Sequence, residues 1–453
     1  MRAVVLGNGG SGKAAAELLR REGFAVSILD GEDRWPDGAW DLCVTSPGIP
    51  LTHPWQVAAR AAGVPVISEL QLGAERYRAM GGRMLAVTGS KGKSSVVKLV
   101  ADALGGVPCG NYGKPLCEVV MENGEWGSIH RQGPATNHQL PTTNDQLKWA
   151  VVEVSSFQME TTELPPDTFE AAAVLNLQED HLDRHGSVAV YHALKRKLLT
   201  FAKVKIMGTD PRTMGTDPET LGTDPKNWGD DASLFSESYF DNPILMDNAL
   251  CAVELLRAAG LSDNSIRAAF LRFEPLPHRM QTVYEAEGVT WIDDSKATSI
   301  AALVAGVTMA AHRFAGPVPK VSGSVPKVLP MVRGAVPKDL GSVPKVRLIA
   351  GGLPKGDDPA MARDCLAAGV RKVYLIGQCA GAMEAAWKDA VPCEVCGTLE
   401  RAVTSVARDA ETGDCVLLSP GTASFDQFKS YGERGDRFAL LCRNRPQGRD
   451  NMV

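Results

Sequence analysis

The stretch "VTGSKGKSS", residues 87–95, follows the apolar run "MLA" and leads into "VVKLVADAL". A glycine-rich turn between a strand and a helix lets backbone N–H groups and a helix N-terminus hold phosphate. The commonest ATP loop reads G-x-x-x-x-G-K-[ST]. Counting back from Gly92-Lys93-Ser94 puts Val87 where the first glycine belongs, and the nearest glycine is Gly89. The loop is two residues short but keeps its chemically active positions. Lys93 can reach phosphate oxygens, and Ser94 can bind Mg2+.

Outward from this loop, strand-like runs alternate with helical patterns, the signature of α/β architecture with parallel sheets. Before the loop lie "RAVVLG" (2–7), the turn "NGGSG", the helix "KAAAELLRREG", and the strands "AVSILD" (25–30) and "DLCVTSPG" (41–48), a small block ending near residue 82. After it come "AVVEVSS" (150–156) and "AAAVLNL" (171–177), apolar enough for central strands. A third block, from about residue 276, holds "VTWIDDS" (289–295), "VRLIAGG" (346–352), "KVYLIG" (372–377) and "CVLLSPG" (415–421). "GTDP" recurs at 208–211, 215–218 and 222–225, and "VPK" at 318–320, 325–327, 336–338 and 343–345. Both segments carry too much Pro and Gly for helix or central strand and read as expanded surface loops.

Composition narrows the function. The 453 residues are 44% hydrophobic and 22% charged, with net charge −5, which gives no reason to expect a nucleic-acid or membrane partner. No apolar run approaches the ~20 residues of a membrane span. "MRAVVLGNGG" lacks the h-region and cleavage site of a secretory signal, so a cytoplasmic location is expected. Ten cysteines are sparse for this length, and Cys393-x-x-Cys396 has no second pair at zinc-finger spacing, so it reads as structural thiols.

Three more groups carry chemistry. Gly7, Gly9 and Gly12 fit G-x-G-x-x-G, and Asp30 ends the next strand. This is a Rossmann-like nucleotide site, served by NAD or equally by the pyrophosphate of a nucleotide sugar. Glu153 ends a central strand and could give a hard cation an oxygen ligand. "NLQEDHLDRHG" (176–186) crowds Asn176, Asp180, His181, Asp183 and His185 together, and Lys195 follows on a helix.

In this order the motifs resemble the Mur ligase family, the ATP-dependent amide-bond-forming enzymes of peptidoglycan synthesis. The family loop reads T-G-T-[NK]-G-K-[ST], and Thr88-Gly89-Ser90-Lys91-Gly92-Lys93-Ser94 is similar to it, with Ser90 for the commoner Thr. The short loop is thus the family's own form. "SPGI" (46–49) resembles the uridine-site turn, "GNYG" (110–113) the G-N-I-G element, and "NALCAVELLRAAG" (248–260) the adenine-contacting helix. "PHR" (277–279), "DDSKATS" (293–299) and "SPGTASFDQFKSYGERGDRF" (419–438) resemble third-domain elements. The last of these, with the Gly7–Gly12 turn, points to the member that adds D-glutamate to UDP-N-acetylmuramoyl-L-alanine. Leu245 and Tyr431 depart from that member's pattern, which has a second Asn and a Phe there, while Ser424-Phe425 fits its S-[LF]-D-Q-F.

The resemblance implies three domains: a Rossmann-like UDP domain (1–82), a central P-loop ATPase-like domain (83–275) and a Rossmann-like amino-acid domain (276–453). It implies UDP-substrate binding by Gly10, Ser11, Asp30, Gly48 and Asn111. ATP is expected at Gly89, Ser90, Lys91, Gly92, Lys93, Ser94, Ser95, Asn248, Arg279, Asp294 and Lys296. Two Mg2+ are expected at Ser94, Glu153, His181 and Lys195, the last as a carbamate, with Lys197 a competing assignment. Lys93, Glu153, His181 and Lys195 are the expected catalytic set. The amino acid is expected at Thr298, Lys355, Ser424, Phe425 and Tyr431, and the protein is expected to be a monomer. D- against L-glutamate stays open. A folate-polyglutamylating ligase would lack the UDP domain. An NAD oxidoreductase leaves Lys93, Glu153 and His181 unexplained, and a non-catalytic nucleotide sensor leaves Lys93, Glu153 and Lys195 without a purpose.

Overall fold

The structure is a computed structural model that describes residues 1–124, 147–208, 221–222, 228–314 and 345–444. Apolar strands followed by amphipathic helices give three separate sheets. The first comprises β1 (Arg2–Leu6), β2 (Ala25–Leu29), β3 (Leu42–Thr45) and β4 (Val66–Ser68) in the order β2-β1-β3-β4, all parallel. The second comprises β5 (Met84–Thr88), β6 (Val107–Gly110), β7 (Ala150–Glu153), β8 (Phe169–Val174), β9 (Ala202–Met207) and β10 (Leu221–Gly222). Its order is β10-β9-β8-β5-β7-β6, again parallel. The third comprises β11 (Gln281–Ala286), β12 (Val289–Asp293), β13 (Val346–Gly351), β14 (Val370–Ile376), β15 (Cys393–Gly397) and β16 (Cys415–Leu418). It runs β11-β12-β16-β13-β14-β15, and only the β11–β12 pair is antiparallel.

β5, β7, β13 and β16 are buried along their whole length, as parallel strands covered on both faces must be. In the second sheet the chain builds β6 and β7 on one side of β5, and β8, β9 and β10 on the other. Ligands of open α/β sheets bind beyond the strand C-termini at such a reversal. Thr88, the last residue of β5, delivers the chain into the Gly89–Gly92 loop at that place.

The chain divides into two compact units, Met1–Asp241 with Leu245–Phe273, and Asn242–Ile244 with Glu274–Val453. Inside the first unit, the first two sheets share one apolar core. Leu18 and Leu19 of the helix Gly10–Arg21, Leu70 and Leu72 of the helix Glu69–Ala79, and Val119 and Val120 of the helix Leu116–Asn123 meet in it. Gly73 allows that packing, because a Cβ there would lie 2.8 Å from Leu116 Cγ. In the second unit, Trp291, Ile349, Tyr374 and Phe438 belong to a core under the third sheet.

The expected strands all form, each ending one to three residues earlier than expected, and β8 and β14 begin two residues sooner. β4, β6, β9, β10, β11 and β15 were not foreseen, and β10 falls within the segment read as an expanded loop. β6 carries Pro108 at a sheet edge, β9 alternates Lys with apolar residues, and β4 is three residues long. Cys393 and Cys396 lie on β15 as free thiols that donate to Val391 O (3.4 Å) and Glu394 O (3.7 Å). Burial pushes both up to about 11, consistent with a structural part. Among the described residues no helix is long and apolar enough to cross a membrane. Apart from Gly208, Gly222 and Lys345, the GTDP and VPK repeats lie outside the described residues.

Candidate active site

The loop after β5 holds its shape through two glycines and a set of side-chain tethers. Gly89 (φ 153°) and Gly92 (φ 82°) take backbone conformations that side chains resist. At Gly92 a Cβ would also sit 2.0 Å from Asn248 Nδ2. Asn176 holds the loop from below: its Oδ1 accepts from Lys91 N (2.9 Å), and its Nδ2 donates to Lys91 O (2.9 Å) and Asn248 Oδ1 (3.0 Å). Ser90 Oγ donates to Gln178 O (3.2 Å), accepts from Gln178 N (2.9 Å) and lies 3.1 Å from Tyr191 Oη. Asn248, expected at the adenine, is thus buried and engaged with the loop's underside. Lys93 opens the helix Lys93–Leu104 and folds back, donating to Gly89 O (2.8 Å) and Ser90 O (3.3 Å). Ser94 is half-buried and Ser95 buried in the first turn of the same helix.

Glu153 is buried at the end of β7 beside this loop. Its Oε1 accepts from Asn111 Nδ2 (2.7 Å), while its buried Oε2 has no hydrogen-bond partner among the described residues. A desolvated carboxylate oxygen without a donor is costly, and a cation would satisfy it. Asn111, expected with the UDP substrate, stands against this carboxylate. Among the described residues no three His, Cys, Asp or Glu side chains converge as a metal cluster.

The segment after β8 crosses in front of the loop. His181 is half-exposed, has φ 52°, and precedes the short helix Leu182–His185. Asp180 Oδ1 accepts from His181 N (3.0 Å), and Asp180 Oδ2 lies 3.6 Å from Lys91 Nζ. On the helix Val188–Lys197, Lys195 is buried and donates to Gly89 O (2.9 Å) and Thr88 Oγ1 (3.5 Å). Burial, and next the Lys93 charge, push its ammonium down to about 7. Lys197 points elsewhere, to Glu163 Oε1 (2.5 Å) and Met159 O (3.4 Å). The structure therefore brings Lys93, Lys195 and Ser90 together on the loop.

On the first sheet, Gly10 and Ser11 begin the helix Gly10–Arg21, and Gly12 packs so tightly that a Cβ would lie 1.9 Å from Gly7 O. Asp30 is exposed just past β2, where its Oδ1 accepts from Gly31 N (3.0 Å). Gly48 lies in the turn after β3, where Ile49 N donates to Ser46 O (3.1 Å).

The second unit carries the remaining residues. Lys355 Nζ donates to Thr298 Oγ1 (3.3 Å), and Lys296 Nζ donates to Tyr431 Oη (3.2 Å). Asp294 is buried, and its carboxylate accepts from Ser419 Oγ (2.9 Å) and Met280 N (3.3 Å). Burial pushes its carboxyl up to about 7. Arg279 follows His278, whose Nδ1 lies 2.7 Å from Asp293 Oδ2. Ser424 is buried, and Phe425 is 69% exposed. Sequence reasoning missed His278 as an individual residue, and missed Arg434. Arg434 is buried and donates to Ser295 Oγ (2.9 Å), Ser295 O (2.9 Å), Thr422 O (3.2 Å) and Ala423 O (3.3 Å). It ties the turn after β12 to the turn after β16. An arginine on a largely polar helix gives no sequence signal of burial.

Residues 87–214, the stretch that includes the loop, Glu153, His181 and Lys195, match the Mur ligase middle domain. A UDP-N-acetylmuramoylalanine–D-glutamate ligase of Thiobacillus denitrificans is 32% identical over 96% of this chain and 95% of its own length. The chain belongs to the Mur ligase family. The enzyme of that name from Sphingopyxis alaskensis is also 32% identical, over 96% of each chain. Among solved structures, the fold is similar to UDP-N-acetylmuramate–alanine ligase from Thermotoga maritima (TM-score 0.53, 15% identity, 98% of this chain and 99% of that one). It is also similar to the Thermotoga maritima MurF ligase solved with ADP (TM-score 0.52, 14% identity, 89% and 88%). Mur ligases therefore share this chain's mixed α/β architecture with parallel sheets.

Proposed function

We propose that this Mur ligase joins D-glutamate to UDP-N-acetylmuramoyl-L-alanine at the expense of ATP, a cytoplasmic step of peptidoglycan synthesis. The observation that carries the reading is the loop Gly89–Gly92, with Lys93 and Lys195 converging on Gly89 O beside an unpartnered Glu153 oxygen. A carboxylate is a poor acyl donor, because oxide is a poor leaving group. Transfer of the ATP γ-phosphoryl to the L-alanine carboxylate gives an acyl phosphate. The glutamate amine then attacks its carbonyl, and phosphate leaves. Phosphoryl transfer depends chiefly on positioning and charge neutralisation. Lys93 would swing from its carbonyl partners onto the phosphates, and the helix N-terminus behind it favours their charge.

Ser94, Glu153, His181 and a carbamylated Lys195 would hold two Mg2+ ions, which when bound neutralise phosphate charge. Gly10, Ser11, Asp30 and the Gly48 turn would take the UDP moiety, on a domain spanning residues 1–82. A central domain over 83–275 would take ATP. A third over 276–453 would contribute Arg279, Asp294 and Lys296 to ATP, and Thr298, Lys355, Ser424, Phe425 and Tyr431 to the amino acid. Three separate sheets support this division. The Lys355–Thr298 pair supplies a cation and a hydroxyl for a side-chain carboxylate.

The test is phosphate release from ATP with UDP-N-acetylmuramoyl-L-alanine and each enantiomer of glutamate. Release with D-glutamate alone is expected. Release only with L-glutamate would move the protein to a related ligase of different amino-acid choice.

A further inference from the structure

Arg184 is not needed to form the phosphate loop, yet it is held more elaborately than any residue of the expected site. It sits on the short helix Leu182–His185, three residues past His181. Its Nε donates to Glu160 Oε1 (3.0 Å) and its Nη2 to Glu160 Oε2 (2.6 Å), a two-pronged pair with the side chains only 14% and 8% exposed. Its outer edge donates to three successive carbonyls of the turn after β3: Pro47 O (3.2 Å), Gly48 O (3.4 Å) and Ile49 O (3.3 Å). Its guanidinium carbon lies 4.7 Å from the centre of the Phe157 ring, and that ring lies 4.8 Å from His181. One planar cation thus touches the first sheet's turn, the β7 segment and the ring beside His181.

Only arginine has this reach. Its donors form a rigid fork that fits a carboxylate on one side and leaves N–H groups for other acceptors. A lysine carries its three donors on one nitrogen and cannot present the planar two-pronged fork that Glu160 accepts. Glu160 is itself fixed on the sequence "ETTE": Thr161 O accepts from Ser68 N (3.1 Å), Thr162 Oγ1 lies 2.6 Å from Ser68 Oγ, and Glu163 N donates to Gln71 Oε1 (2.9 Å). His185, with a side chain 2% exposed, lies 3.0 Å from Ser156 Oγ and 3.4 Å from Glu160. Burial pushes the His185 imidazole below its usual range, towards the neutral form. The Glu160 charge is therefore matched by Arg184, and the pair is anchored from both sides.

We infer that Arg184 is a positioning residue that sets the Pro47–Ile49 turn against the His181 segment, and so joins UDP-substrate binding to phosphoryl transfer. The inference rests on reading that turn as part of the UDP site. Contact of substrate with the turn is then sensed at His181 through one side chain, without a hinge.

The test is steady-state kinetics of the full-length enzyme carrying Arg184→Lys, with Glu160→Gln as the milder second variant and Asp30→Ala as an independent probe of the UDP site. Arg184→Lys should raise the UDP-substrate KM about tenfold, the scale of losing hydrogen bonds to a charged group. The ATP KM should stay within about twofold, because that binding is separate. Glu160→Gln should move the UDP-substrate KM in the same direction by less. Weaker calorimetric binding of UDP alone to the Arg184→Lys enzyme should accompany it. Equal effects on both KM values, or a fall in kcat alone, would make Arg184 a general structural element and overturn the inference. An unchanged UDP-substrate KM in Arg184→Lys, with a raised one in Asp30→Ala, overturns it while leaving the UDP site standing. If neither variant changes that KM, the turn is not the UDP site and the inference falls with it.

Discussion

Two lysines two positions apart on the helix Val188–Lys197 meet opposite surroundings. Lys195 is buried against Gly89 O and Thr88 Oγ1, whereas Lys197 pairs with Glu163. Helix geometry alone says that one of them faces the loop, since two steps turn about 200°. It does not say which, because the answer depends on where the loop's carbonyls point. Burial beside Lys93 brings the Lys195 amine down to about 7. A neutral amine is the form that adds CO2, so its uptake should grow as pH rises through about 7. Lys195→Ala should lose most activity, acetate should restore part of it, and Lys197→Ala should stay active; assays with and without added bicarbonate at pH 6 and pH 8 check the pH trend. Asp294 makes a second prediction. Its folded-state value, raised by burial to about 7, exceeds its unfolded one, so the folded state binds the extra proton and loses stability as pH rises through that window. Asp294→Asn should therefore raise the thermal midpoint relative to wild type more at pH 8 than at pH 5.

The loop Gly89–Gly92 is the element on which the site depends. Its place between strand and helix was legible because β5 is an unbroken apolar run and Gly92-Lys93 opens a helix. The tethers that shape it were not legible, because Asn176, Gln178, Tyr191 and Asn248 reach it from 85 or more positions along the chain. Asn248 shows this most clearly: nothing in its helix sequence says that its amide meets Asn176 and the back of Gly92. Gly92→Ala should cost roughly 1–2 kcal/mol for the left-handed backbone, plus displacement of Asn248. Its thermal midpoint should fall. Adding Asn248→Ala should recover only the part due to the clash, which a melting series of single and double variants separates. The weaker strands escaped the sequence for a related reason. β4, β6 and β15 are short or marginal by pattern and form because a neighbouring strand is already in place.

Across the whole molecule, the proposed function divides between nucleotide-sugar binding on the first sheet and phosphoryl transfer on the second. Lys93→Ala should abolish phosphate release while UDP-N-acetylmuramoyl-L-alanine still binds, as measured by calorimetry on the folded variant. Loss of that binding would contradict the separation of sites. If the Gly89–Gly92 loop directs the ATP γ-phosphoryl onto a carboxylate, isotope transfer will reveal it. UDP-N-acetylmuramoyl-L-alanine labelled with heavy oxygen in its alanine carboxylate is turned over with ATP and D-glutamate, and the released phosphate is analysed by mass. One labelled oxygen should appear in inorganic phosphate for each amide bond formed. Amide product accompanied by unlabelled phosphate, or by label in AMP, would contradict it.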